Sequence, residues 1–138
     1  MPRLTFSAAL FALLAVSPAF AGDAVSPRDL AARLSADAAT RPLVLDVRSA
    51  DEYAAGHVPG AVLIPHDQVA ARIGELDRSR PVVVYCRSGR RSGIAEGILQ
   101  QAGFRVSQLD GSYPAWEAAG LPRDCANGPC AAPAGDAK

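Results

Sequence analysis

Three short apolar runs, at residues 43–47, 61–64 and 81–85, and an alternating stretch at 105–109 are interleaved with helical patterns along most of the chain. This alternation constrains the fold more than any other feature. Runs of four or five apolar residues suit strands buried on both faces, and the stretches between them are long enough to cross back over a sheet. The reading is an α/β domain: a mostly parallel central sheet with helices on both faces. In such sheets ligands gather beyond the carboxyl ends of the strands.

The helix signals are local. Ser26-Pro27-Arg28-Asp29 carries an N-cap serine, a proline at the first helical position and an acid in the first turn. Ser49 and Glu52 have capping-box spacing for a short helix ending at Gly56. Residues 67–76 are expected to form one helix. Ile94, Ile98, Leu99 and Ala102 share a helical face that Gly103 ends, and residues 114–119 make a short helix carrying Trp116. From Leu121 onward no periodicity remains, so a mobile tail is expected.

The N-terminus reads differently. Arg3, an apolar stretch from Leu4 to Val16, Pro18 and Ala19-Phe20-Ala21 fit a secretory signal cut between Ala21 and Gly22. The rival is an uncleaved anchor, for which the apolar run is short of the roughly 20 residues a span requires. The expected organisation is a signal at 1–21, a folded domain at 22–122 and a tail at 123–138, in a periplasmic or secreted protein off the membrane after cleavage. The 138 residues have a formal net charge of zero, which offers no electrostatic reason to expect nucleic acid. Monomer is the default for so small a domain.

Three cysteines make an odd count for an exported chain. Cys125 and Cys130 flank Asn127-Gly128-Pro129, which is turn chemistry, so they can close a disulfide or act as a dithiol that accepts sulfur from the third. His57 and His66 lack ligand spacing relative to the cysteines, so no metal site is expected.

The third, Cys86, ends the run Pro81-Val82-Val83-Val84-Tyr85 and opens Cys86-Arg87-Ser88-Gly89-Arg90-Arg91-Ser92. A cysteine closing a buried strand is often inert core. Here Gly89 allows a tight turn of inward N–H groups, Arg87, Arg90 and Arg91 add charge that a core rejects, and Ser88 and Ser92 supply hydroxyls. A thiol at such a helix start should ionise below its free value of about 8.5 and hold an anion.

The chain resembles the single-domain rhodaneses, the thiosulfate sulfurtransferase family. Cys86, Gly89 and Arg91 meet the pattern Cys-x-x-Gly-x-Arg. Asp46-Val47-Arg48, Glu52-Tyr53 and Gly56-His57-Val58-Pro59-Gly60-Ala61 match its upstream segment, and Leu109-Asp110-Gly111 with Ala115-Trp116 its C-terminal element. Ser112-Tyr113-Pro114 departs from the glycine–hydrophobic pair usual there. The resemblance spans roughly Ser26 to Pro122. It implies a rhodanese-like fold and a Cys86 nucleophile in a substrate-binding loop formed by residues 87–92. Sulfane sulfur would pass from a small anionic donor such as thiosulfate to a thiol, cyanide or a sulfur carrier through a Cys86 persulfide, with no cofactor. Arg91 is expected to orient the loop or the substrate and, helped by Arg87 or Arg90, to bind the sulfonate, with at least one other arginine facing water. Asp46, Arg48, Glu52 and His57 are read as structural, with Arg48 and Glu52 paired at i, i+4. The alternatives are a persulfide carrier module with little thiosulfate activity, a thiol oxidoreductase using Cys125 and Cys130, and a cysteine-dependent phosphatase. The six-residue span from Cys86 to Arg91 argues against the last, since related phosphatase loops run to seven.

Overall fold

The computed structural model describes residues 23–131, so the signal read at 1–21 lies outside the described residues. The chain folds through α1 (Pro27–Ser35), β1 (Leu43–Asp46), α2 (Ala50–Ala55), β2 (Val62–Leu63), α3 (Val69–Arg72), β3 (Val82–Tyr85), α4 (Arg90–Gln101), β4 (Val106–Gln108) and α5 (Ser112–Ala118). A small hairpin of β5 (Asp124–Cys125) and β6 (Gly128–Pro129) follows. The four longer-range strands pair in the order β2-β1-β3-β4, all parallel.

Strand side chains alternate between two cores. Leu43, Leu45, Val82, Val84 and Val106 join Val69, Ala95 and Leu99 on one face. Val44, Val83 and Tyr85 join Leu30, Tyr113 and Trp116 on the other. Both faces are therefore helix-covered, which is why β1 and β3 are buried at every position and read as unbroken apolar runs.

Two expectations change. The single helix expected at 67–76 is a chain of short pieces: a 3-10 turn at His66–Gln68, α3, and a second 3-10 turn at Ile73–Glu75. Gly74 weakens the helix, and within the segment only Val69 and Leu76 are buried. The tail expected to be mobile is hydrogen-bonded as far as Cys130, and its residues 132–138 lie outside the described residues. The backbones of His57 and Asp124 exchange hydrogen bonds of 2.8 and 2.9 Å, Ala126 N donates to Ala54 O at 3.0 Å, and Trp116 Nε1 donates to Pro122 O at 2.8 Å. The His57–Asp124 and Ala54–Ala126 partners lie far apart in sequence, so no local periodicity announces them.

Candidate active site

β3 delivers Cys86 to the carboxyl edge of the sheet, and α4 begins four residues later. Gly89 caps that helix at φ 89°, a left-handed conformation that an L side chain resists although a Cβ there would meet open space. The turn brings Gly89 N to 3.0 Å from Cys86 Sγ, and the thiol lies 3.4 Å from Ser92 Oγ. Cys86 is unpaired and fully buried. Burial works to raise the thiol, but the Ser92 hydroxyl and the N–H groups of Ser92, Gly89 and Ser88 outweigh it, so ionisation moves below the ordinary value. Tyr113 N donates to Cys86 O at 3.0 Å, tying the nucleophile's backbone to α5.

The arginines sort in part as expected. Arg91 does not face an open anion site: its Nη1 and Nη2 donate to Glu52 at 2.7 and 2.9 Å. The same carboxylate closes the capping box of α2. Arg91 therefore orients the loop, one of the roles expected of it, and its guanidinium is held by Glu52 rather than turned to either cavity beside the loop. The expected Arg48–Glu52 pair is also absent. Arg48 precedes the Ser49 N-cap, so helical i, i+4 geometry does not reach it. Arg48 instead turns to Asp46, with contacts of 2.6 to 3.1 Å, and donates to Gly56 O at 2.7 Å. Asp46 also accepts from Tyr85 Oη at 2.7 Å, and that phenol accepts from Val58 N at 3.1 Å. This buried network braces the segment at 56–58 against β1 and β3.

His57 is buried, with Nδ1 at 2.8 Å from Tyr53 O and its ring stacked on Tyr53 at 3.6 Å. It sits in the turn rather than at the sulfur. Arg87, Ser88 and Arg90 are exposed. A cavity of about 370 Å³ opens beside the loop, lined by Arg48, Glu52, Gly56, Arg87, Tyr113 and Pro114 among others. A second, of about 240 Å³, lies on its other side against Arg87, Ser88, Gly89, Gln108 and Ser112. Cys86 lies beneath the loop and lines neither; Arg87 borders both. Ser112, where the sequence departs from the family pattern, is buried at φ 56° beside this second cavity.

Of three groups near the loop, Gln108 and Glu96 carried no sequence signal, and Tyr113 only the departure noted at 112–114. Gln108 ends β4, and its Oε1 accepts from Ser92 Oγ at 2.7 Å. Glu96, one helical turn beyond Ser92, accepts from Gln108 Nε2 at 2.5 Å. Tyr113 stacks under the Arg48 guanidinium, 4.1 Å from its ring centre. The pairing of β4 with β3 and the packing of α4 and α5 on the sheet join these residues.

Cys125 and Cys130 are joined by a disulfide across the hairpin. Cys130 Sγ lies 3.6 Å from where a Gly56 Cβ would stand, so the bridge backs the wall of the larger cavity. Among the described residues, no group of three or more His, Cys, Asp or Glu side chains converges as metal ligands, and no helix is long and apolar enough to cross a membrane.

A family model described as the rhodanese-like domain matches residues 26–119. The chain is 42% identical over 81 residues to a sulfurtransferase of Allochromatium vinosum, covering 58% of this chain and 76% of that one. It is 33% identical over 78 residues to the thiosulfate sulfurtransferase GlpE of Pseudoalteromonas translucida, covering 56% and 74%. It is also 39% identical over 104 residues to the HTH-type transcriptional regulator Rv0324 of Mycobacterium tuberculosis, covering 74% of this chain but only 45% of the regulator. Among solved structures, the Alr3790 protein from Anabaena sp. superposes with a TM-score of 0.68 at 32% identity, over 73% of this chain and 82% of that one.

Proposed function

The chain belongs to the rhodanese-like domain family, and from that premise we propose that it is a sulfurtransferase whose Cys86 carries sulfane sulfur from thiosulfate to a thiol-type acceptor. Sulfur transfer as the general chemistry is supported by similarity to the sulfurtransferases of Allochromatium and Pseudoalteromonas. The observation that carries the reading is the Cys86 sulfur at the start of α4, 3.0 Å from Gly89 N–H.

In the first half-reaction the Cys86 thiolate attacks the outer sulfur of thiosulfate. A new S–S bond forms, the donor's S–S bond breaks, and sulfite leaves with the electron pair. The turn's N–H groups face the charge before and after transfer, so little reorganisation is needed. In the second half-reaction an acceptor thiolate, or cyanide in an assay, attacks the outer sulfur and returns the Cys86 thiolate. We assign the donor's sulfonate to Arg87, which the position of its guanidinium at the rim of both cavities supports. No step calls for a metal or organic cofactor.

Export belongs to the same proposal. The pattern at 1–21 reads as a cleavable signal, and the Cys125–Cys130 disulfide favours an oxidising compartment.

Intact mass before and after thiosulfate, on protein carrying Cys86 reduced, tests the function. A gain of one sulfur, removed by cyanide and absent in Cys86→Ser, is expected. No gain from thiosulfate, with a gain from a small-molecule persulfide, would replace the enzyme by a carrier. The similarity to YrkF of Bacillus subtilis, a protein named for a sulfur-carrier role, 40% over 62 residues and 34% of that protein, motivates that second arm.

A further inference from the structure

Ser92 has one hydroxyl proton and three acceptors around it. Gly89 O is at 3.1 Å, Gln108 Oε1 at 2.7 Å and Cys86 Sγ at 3.4 Å. Two independent contacts orient Gln108. Its Nε2 lies 2.5 Å from Glu96 Oε2, which dictates that the carbonyl end faces Ser92, since the reversed amide would set a carbonyl against a carboxylate. Glu96 is itself steadied by Gln100 Nε2 at 3.3 Å. The carboxylate polarises the amide and makes Oε1 a stronger acceptor. The result is a continuous chain from Cys86 through Ser92 and Gln108 to Glu96, joining the nucleophile to the outer half of α4 by way of the edge strand β4.

We propose that Gln108, clamped by Glu96, is a positioning residue that competes with Cys86 for the Ser92 proton and thereby favours the sulfur-loaded state over the bare thiolate. In the thiol, Cys86 donates to Ser92 and Ser92 donates to Gln108. In the thiolate, the charged sulfur draws the Ser92 proton away, and Gln108 Oε1 loses its donor. Once sulfur is loaded, the negative charge moves to the outer atom under the N–H groups of the turn. The inner sulfur becomes neutral, and the Ser92 proton returns to Gln108. The step that loads sulfur thus recovers a hydrogen bond that the thiolate had broken. The preference for loading rests on the sulfur-transfer reading; the competition for the proton does not.

The test is the pH dependence of Cys86 alkylation by iodoacetamide, with the Cys125–Cys130 disulfide intact, in the wild type, Gln108→Met and Glu96→Gln. Arg87, Arg90 and Arg91 in the loop, Glu52 behind Arg91, Tyr113 on α5 and Glu96 on α4 are the titratable or charged groups around this cluster. All are common to the wild type and Gln108→Met. Methionine keeps the shape and removes the acceptor. Freed from competition, the Ser92 proton should serve the thiolate, and the alkylation midpoint should fall by roughly half to one pH unit. Glu96→Gln should shift it the same way by less, and in a Ser92→Ala background Gln108→Met should shift it no further. An unchanged or raised midpoint in both Gln108→Met and Glu96→Gln, or a shift that persists undiminished without Ser92, overturns the proposal. If the midpoint falls as expected but thiosulfate loads no sulfur, the functional reading fails and the proton competition stands.

Discussion

Arg91 and Glu52 are separated by 39 positions, yet the guanidinium meets the carboxylate through two parallel hydrogen bonds of 2.7 and 2.9 Å. The pair joins the end of the Cys86 loop to the first turn of α2. It converts a loop arginine from a ligand-binding group into a strut. The remaining geometry of the loop depends on it, because Ser92 follows Arg91 directly.

Loss of the strut should therefore act on catalysis through placement. Arg91→Ala is expected to reduce the rate of sulfur loading by about 10- to 100-fold, the range that a loop displaced by about an ångström produces. Stopped-flow loading with thiosulfate measures this, with circular dichroism as the check on folding.

The same pair makes a pH prediction. The Arg91 hydrogen bonds, with those from Ser49, hold Glu52 down to about 2 from an ordinary 4.5. A carboxylate lowered in the folded state stabilises the fold above its unfolded value and loses that contribution as pH falls through the folded one. The side chains keep 27% and 28% of their exposure, so the contribution is about 1 kcal/mol. Urea unfolding of the wild type and Glu52→Gln should differ by that amount at pH 6, and the difference should narrow between pH 4.5 and 2.

Arg87 is the group expected to set affinity for the anionic donor. Arg87→Ala should raise the KM for thiosulfate by about 10-fold while leaving kcat within about twofold. The difference should shrink at high salt, because this guanidinium is exposed and screened. A fall in kcat with KM unchanged would remove Arg87 from donor binding.

Asp46 carries the buried network behind the site. Asp46→Ala strands the Arg48 guanidinium, which is 4% exposed, and takes away the acceptor of Tyr85 Oη. The expected loss is about 3 to 5 kcal/mol, the range for breaking a buried pair from one side. Chemical denaturation reads it directly.

The hairpin cysteines should matter for stability rather than for chemistry. Replacing both Cys125 and Cys130 by serine should cost about 2 kcal/mol, as expected for so short a closed loop. Cys86 should still load sulfur, as read by intact mass. Loss of loading in a folded double variant would make the pair part of the transfer step.

Local patterns carried the sequence reading a long way. The Ser26 cap, the Ser49–Glu52 capping box and the Gly89 turn are formed by residues within a few positions of one another, and the structure has each of them. The Cys86 loop was legible for the same reason: nucleophile, N–H donors and Ser92 are contiguous. Arg48 shows where such reasoning fails. Its spacing from Glu52 is helical, but its backbone lies in the bend between β1 and α2, and its partner became Asp46.

What the sequence determined by itself was the alternation of strands and helices and the chemistry of the loop, since both rest on periodicity and on neighbours in the chain. The tertiary structure decided which charges are occupied. Arg91 reaches Glu52 and Tyr85 reaches Asp46 across 39 positions, and Gln108 reaches Ser92 across 16. Parallel pairing sets Asp46 against Tyr85 in register and carries β4 alongside β3. The register of strands held together by crossover helices is a global property of packing, and no window along the chain contains it.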